Sequence, residues 1–133
     1  MAGASDYLEN ALLDHIVGKT SFTMPTAYVA LCTAAPTDAS TGSTIVEANY
    51  TGYARKQTAG SDWATASGGA TSNQAAITFD ACTAGSSTVT HFAVCNAATT
   101  GQVLFFGALS ASLAVSAGIT PQFAIGALDV TLD

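Results

Sequence analysis

The chain has 133 residues, enough for one domain around one core, and only 9% of them are charged. Its net charge is −6 and its fixed cations are Lys19, Arg55 and Lys56, too few for the basic patch that nucleic acid or an anionic membrane surface requires. The 49% hydrophobic content comes largely from alanine and is broken every few residues by Thr, Ser, Gly or Asn, which excludes a spanning helix of about 20 residues.

The first predicted element is an amphipathic helix over 6–17. Asp6 followed by Glu9 forms a capping-box pattern, and Leu8, Leu12 and Ile16, with Leu13 beside them, make an apolar stripe. Gly18 stops the helix and Lys19 suits its negative end. In the strand Tyr28–Cys32, both alternating faces are apolar, which places it centrally in a sheet. Residues 36–43 lack periodicity and read as a surface loop.

Tyr50 to Gln57 reads as a strand with a glycine irregularity, a bulge at Gly52. Trp63 lies in the next segment, Ser67-Gly68-Gly69 turns the chain, and Ala75–Phe79 forms a short strand. Val89–Cys95 and Gln102–Leu109 pair across a hairpin loop, followed by strands at Ser112–Val115, Gln122–Ile125 and Leu128–Leu132. Short strands between Gly/Ser/Thr turns indicate a mainly β fold. The expectation is a single jelly-roll-like β-sandwich over residues 1–133 with one short N-terminal amphipathic helix.

Little in the chain suggests chemistry. His15 and His91 are isolated, no GxSxG elbow is present, and the carboxylates Asp38, Glu47, Asp62 and Asp80 are scattered singly. No catalytic residue, metal ligand or cofactor is therefore expected. Cys32, Cys82 and Cys95 show no metal-ligand spacing and read as small buried hydrophobes, with a Cys32–Cys95 bridge between adjacent strands left open. Arg55-Lys56 reads as a solvated strand edge, or else as a contact for an acidic partner. Tyr50, Tyr53 and Trp63 read as buried at the ends of the sandwich or at a subunit interface, the sharper alternative being a sugar-stacking platform.

Alanine and threonine supply about a third of the chain, a composition suited to closely packed strands with hydroxyl-bearing outer faces. Such a surface, poor in charge, is weakly protected against association, so a subunit covered by neighbours is expected. The opening DYLENALLDHIVGKTSFTMPTAYVALCTAAPTDASTG, with the later motifs at Tyr50–Arg55, Ala70–Phe79, Val89–Leu109 and Gly126–Asp133, resembles a family of small tailed-phage virion proteins. Members of that family are labelled head-decoration (cement) proteins or tail-fibre proteins.

The resemblance implies a non-enzymatic structural protein on the outer surface of the virion, made in the host bacterial cytoplasm. The chain carries no heptads, collagen-like repeat or shaft, and it runs from its helix to a last strand at 127–133 with no domain to spare. That favours decoration of the head as a dimer or trimer, bound to the major capsid protein, with a tail-fibre or receptor-binding subunit as the alternative. Leu8, Leu12, Leu13 and Ile16 of the helix stripe, with Tyr50, Tyr53 and Trp63, are the candidate interface residues. Neither nucleic acid nor membrane is expected as a partner.

Overall fold

The computed structural model describes residues 2–132. Asp133, the last residue of the expected closing strand, lies outside them. In chain order the elements are β1 (Ala2–Ala4), α1 (Asp6–Ile16), β2 (Tyr28–Cys32), β3 (Lys56–Gln57), a 3-10 turn (Gly60–Asp62), β4 (Ala70–Ser72), β5 (Ile77–Thr78), β6 (Ser86–Cys95), β7 (Val103–Ser116), β8 (Gln122–Phe123) and β9 (Asp129–Thr131). The described residues are mainly β, with one α-helix preceding all strands but β1. A seven-stranded sheet has the order β3-β2-β6-β7-β1-β9-β4, and β5 pairs with β8 in a separate ribbon.

The sheet is built around β2, β6 and β7. Val29 faces Val94 and Leu31 faces Phe92 on one side, while Ala30 faces Ala93 on the other. The first side meets the ribbon: Phe123 lies edge-on to both Phe79 and Phe92, with ring centroids 6.0 and 6.3 Å apart. Leu8, Tyr50, Leu104, Leu128 and Val130 complete this larger core. The opposite side is lined by small residues (Ala30, Cys32, Ala93 and Cys95, with Val103) and is covered by Ile45 and Phe106. Both faces of β2 are thus buried, as its continuous apolar run indicated.

A bulge where β7 meets the end of β6 makes this two-sided packing work. Val94 pairs with Phe105 but Cys95 pairs with Val103, so Leu104 is the extra residue. Leu104 and Phe105 therefore both pack toward the larger core, and Val103 and Phe106 toward the smaller one. A second irregularity lies between the Val89–Leu113 and His91–Ala108 pairs, where 109–112 stand opposite Thr90 alone.

Several boundaries differ from expectation. The helix N-cap is Ser5, not Asp6: Ser5 Oγ accepts the Leu8 N–H at 3.2 Å and donates to the Val103 carbonyl. Ser5 is fully buried against β7, and this anchorage outweighs the capping-box pattern one residue on. Gln102–Leu109 and Ser112–Val115 are one strand, β7, which continues through the irregularity at 109–112. Of Tyr50–Gln57 only β3 is strand, because Tyr53 N–H bonds back to the Tyr50 carbonyl in a turn at Gly52, whose φ is +102°. The short strands β1 and β4 have no counterpart in the sequence reading. β1 lies between β7 and β9, antiparallel to the first and parallel to the second.

Candidate functional site

The helix α1 presents three faces, each serving a different neighbour. Leu8 is buried in the larger core and Leu12 packs against it. Tyr7, Asn10, Ala11 and Asp14, at i, i+3, i+4 and i+7, face the chain segment that follows the helix. The third face carries Leu13 and Ile16, 63% and 78% exposed, and continues into Val17 at 73%. Leu132, 47% exposed, adjoins it across a shallow groove of about 380 Å³ lined also by Glu9 and Leu12. Four of the exposed large apolar side chains, which elsewhere include Met24, Val46 and Ile125, thus gather on one surface.

The aromatic candidates are spread through the interior and do not share a platform. Tyr50 is 3% exposed, stands edge-on to Tyr53 with centroids 5.6 Å apart, and donates its hydroxyl to the Asp80 carbonyl at 3.1 Å. Trp63 is half-buried against the larger core, and its indole N–H donates to Thr58 Oγ1 at 3.0 Å. Leu8 and Tyr50 are thus covered within the chain itself. Of the residues proposed from sequence, Leu13 and Ile16 are the ones presented outward.

Arg55 is no solvated strand edge: its side chain is 2% exposed. It donates Nε to Glu47 Oε1 at 3.0 Å and one Nη to Glu47 Oε2 at 2.9 Å, a two-pronged pair. Its remaining donors reach the carbonyls of Ala97, Thr100 and Gly42 at 2.8–2.9 Å. Every guanidinium N–H is therefore used, joining the loop after β2 to the β6–β7 loop. Tyr53 donates to Glu47 Oε1 at 2.6 Å and accepts the Leu31 N–H at 3.1 Å. Burial, reinforced by the hydrogen bond to Glu47, pushes the Tyr53 phenol well above its ordinary range. Lys56, by contrast, is exposed on the edge strand β3, where a charge discourages unwanted pairing.

The same smaller core holds two of three free thiols. Burial, with Glu47 adding to it, pushes Cys32 up to about 12, and burial likewise pushes Cys95 up to about 11. Both thiols are therefore poor nucleophiles. Register rules out the Cys32–Cys95 bridge, because Cys32 faces His91 and Cys95 lies four positions further along β6. That offset is about 13 Å, against a disulfide reach of about 7 Å between Cα atoms.

Among the described residues neither histidine is hydrogen-bonded to both a nucleophile and an acid. His15 Nδ1 accepts the Phe22 N–H at 3.1 Å, and His91 Nδ1 bonds Thr90 Oγ1 at 2.8 Å. Among the described residues no group of three His, Cys, Asp or Glu side chains could hold a metal ion. No described helix is long and apolar enough to cross a membrane.

Sequence reasoning missed Val17 and Leu132 in the exposed patch, and Glu47 as the partner that buries Arg55. The first two carried no signal beyond being apolar near element ends. For Glu47 a signal existed: with three fixed cations in the chain, any buried acid has few possible partners.

No curated protein sequence matched the chain. A family model described as Podophage GP4 fiber I protein gp80 matches residues 3–131. The match takes in α1, both cores, the Arg55–Glu47 pair and most of the exposed patch, so the chain belongs to this family of tailed-phage virion proteins.

Proposed function

We propose that the protein is a non-enzymatic structural subunit of a phage fibre carried on the tail, and not a decoration protein of the head. The observation that carries this reading is the family match, which spans nearly every described residue and names a fibre protein. The sequence argument for the head rested on the lack of a shaft, and a fibre subunit of this size needs none if another protein supplies it.

Assembly through the exposed face of α1 fits such a role. The occupant of Leu13, Ile16, Val17 and Leu132 is a second copy of the chain. Glu9 stands near the N-terminal end of this face and Lys19 just past its C-terminal end, both exposed. Two helices packed antiparallel set each acid against the other copy's base, with the aliphatic side chains between them. Such a contact adds to attachment by repetition along a multivalent particle.

Gold-labelled antibody against the purified protein, imaged on intact particles by electron microscopy, tests the location. Label on the tail or its fibres is expected. Dense label over the head, at a copy number near that of the capsid protein, overturns the proposal.

A further inference from the structure

Past α1 the chain reverses at Gly18, and residues 21–25 run back beside the helix without joining a sheet. The Phe22 N–H bond to His15 Nδ1 holds this segment in place but does not close it onto the helix. Between the two lies a cleft of about 640 Å³. Sites for small molecules span roughly 300–1,000 Å³.

The chemistry of the walls is selective. The helix contributes Tyr7, Asn10 and Asp14, the returning segment Thr20 and Thr23, and the loop after β6 contributes Asn96. The side chains of Tyr7, Asn10 and Asp14 make no hydrogen bond to another described residue. Asn96 spends its carbonyl oxygen on the Gln102 N–H at 2.8 Å, which leaves its amide N–H groups to donate elsewhere. Tyr7 is 38% exposed, so part of its ring is available to a ligand.

No lysine or arginine lines the cleft, so a phosphate or carboxylate ligand meets no opposite charge. A single carboxylate supplies little of the negative charge a calcium site uses, and among the described residues no group of three His, Cys, Asp or Glu side chains could hold a metal ion. What remains is a set of planar amide and carboxylate groups with hydroxyls around an aromatic ring, beside an apolar wall of Ala11, Phe22, Met24 and Pro25. Planar groups of this kind bridge neighbouring hydroxyls, and a tyrosine offers an apolar face with a polar tip. We propose that this cleft binds a neutral saccharide. Asp14 and Asn10 take its hydroxyls, Asn96 donates from the far side, and Tyr7 covers the apolar face of the sugar ring. This inference stands independently of where in the virion the chain sits.

The test is a titration of the isotope-labelled full chain with glucose, galactose, rhamnose and N-acetylglucosamine at millimolar concentration, followed by amide resonances in solution. At least one sugar is expected to give saturable shifts confined to residues 7–14, 20–24 and 96. Asn10→Ala and Asp14→Asn should each weaken that binding roughly tenfold. Leu13→Asp, on the neighbouring face of the same helix, should leave the titration unchanged. The spectra themselves report whether each variant is folded, and Asp14→Asn keeps the shape of the side chain. Absence of shifts with all of these sugars, shifts elsewhere on the surface, or binding indifferent to both cleft substitutions overturns the proposal.

Discussion

The guanidinium of Arg55 grips the carboxylate of Glu47 through both prongs, at 3.0 and 2.9 Å, with the arginine side chain almost wholly out of water. One paired cation thereby organises carbonyls from two loops, at Gly42 and at Ala97 and Thr100. Arg55→Ala leaves Glu47 without its counter-charge, with the Tyr53 hydroxyl still donating to it, and those carbonyls without the guanidinium, and should cost about 3 kcal/mol. Arg55→Lys keeps the charge but lacks the planar fork and should cost about 1–2 kcal/mol. Urea unfolding of the two variants checks both values. Equal losses would mean that charge alone matters and the fork does not.

Gly42 is the point where the loop after β2 touches the β6–β7 loop. A Cβ built there falls 1.7 Å from the Thr100 carbonyl oxygen, a backbone atom that cannot swing aside. Gly42→Ala should therefore separate the loops and carry the Arg55 contact to Gly42 with it. The expected loss is about 2–4 kcal/mol, read as a lowered midpoint of thermal unfolding. A variant as stable as the parent would show that the loops accommodate the methyl group by moving apart freely.

Alkali should unfold the protein through its buried thiols and the partly buried Tyr53 phenol, all raised in the folded chain. In the folded chain Cys32 ionises only near 12 and Cys95 near 11, from an ordinary value of 9.0. Between the unfolded and folded values the unfolded chain holds fewer protons, so stability falls as pH rises. The contribution is fully present below pH 9, and on the order of several kcal/mol is lost by about pH 12. Denaturant midpoints measured from pH 8 upward follow this slope. Cys32→Ala should flatten it, and an unchanged slope in that variant would assign the loss elsewhere.

The core-facing side of α1 and its exposed apolar face separate folding from assembly. Leu13→Asp and Ile16→Asp alter exposed side chains and should leave stability within about 0.5 kcal/mol while shifting the sedimenting species toward monomer. Leu12→Asp buries a charge against the core and should cost about 2–4 kcal/mol in the monomer itself. Sedimentation velocity beside circular dichroism distinguishes the two cases. If Ile16→Asp leaves the sedimentation unchanged, the apolar face of α1 does not join copies of the chain.

What could be read from the sequence follows from the strength of local pattern. The helix at Asp6–Ile16 and the strands around Val29–Leu31 and Phe92–Val94 declare themselves because their apolar spacing matches one period over several residues. β1 and β4, Ala-Gly-Ala and Ala-Thr-Ser, carry no such pattern and exist because their partners hold them. Ser110-Ala111 looked like a break in a strand; a long bulge tolerates these small residues without ending β7. Among candidate interface residues, periodicity set Leu8, Leu12, Leu13 and Ile16 on one broad stripe. It could not say where along that stripe the core ends and solvent begins, since that depends on the position of β7 beside the helix. Tyr50 and Arg55 are residue types common at surfaces, and only the tertiary arrangement draws them inward.

β1 is the hinge pin of the large sheet, three residues that alone connect β7 to β9 and, through β9, to β4. During synthesis β1 leaves the ribosome long before Val130, its parallel neighbour, has been translated. The sheet therefore cannot be completed progressively from one end; it closes late, when the opening and closing stretches of the chain find each other. Bulk inserted beside Ala2–Ala4 sits at that seam, and a purification tag on this protein is better carried on a surface loop.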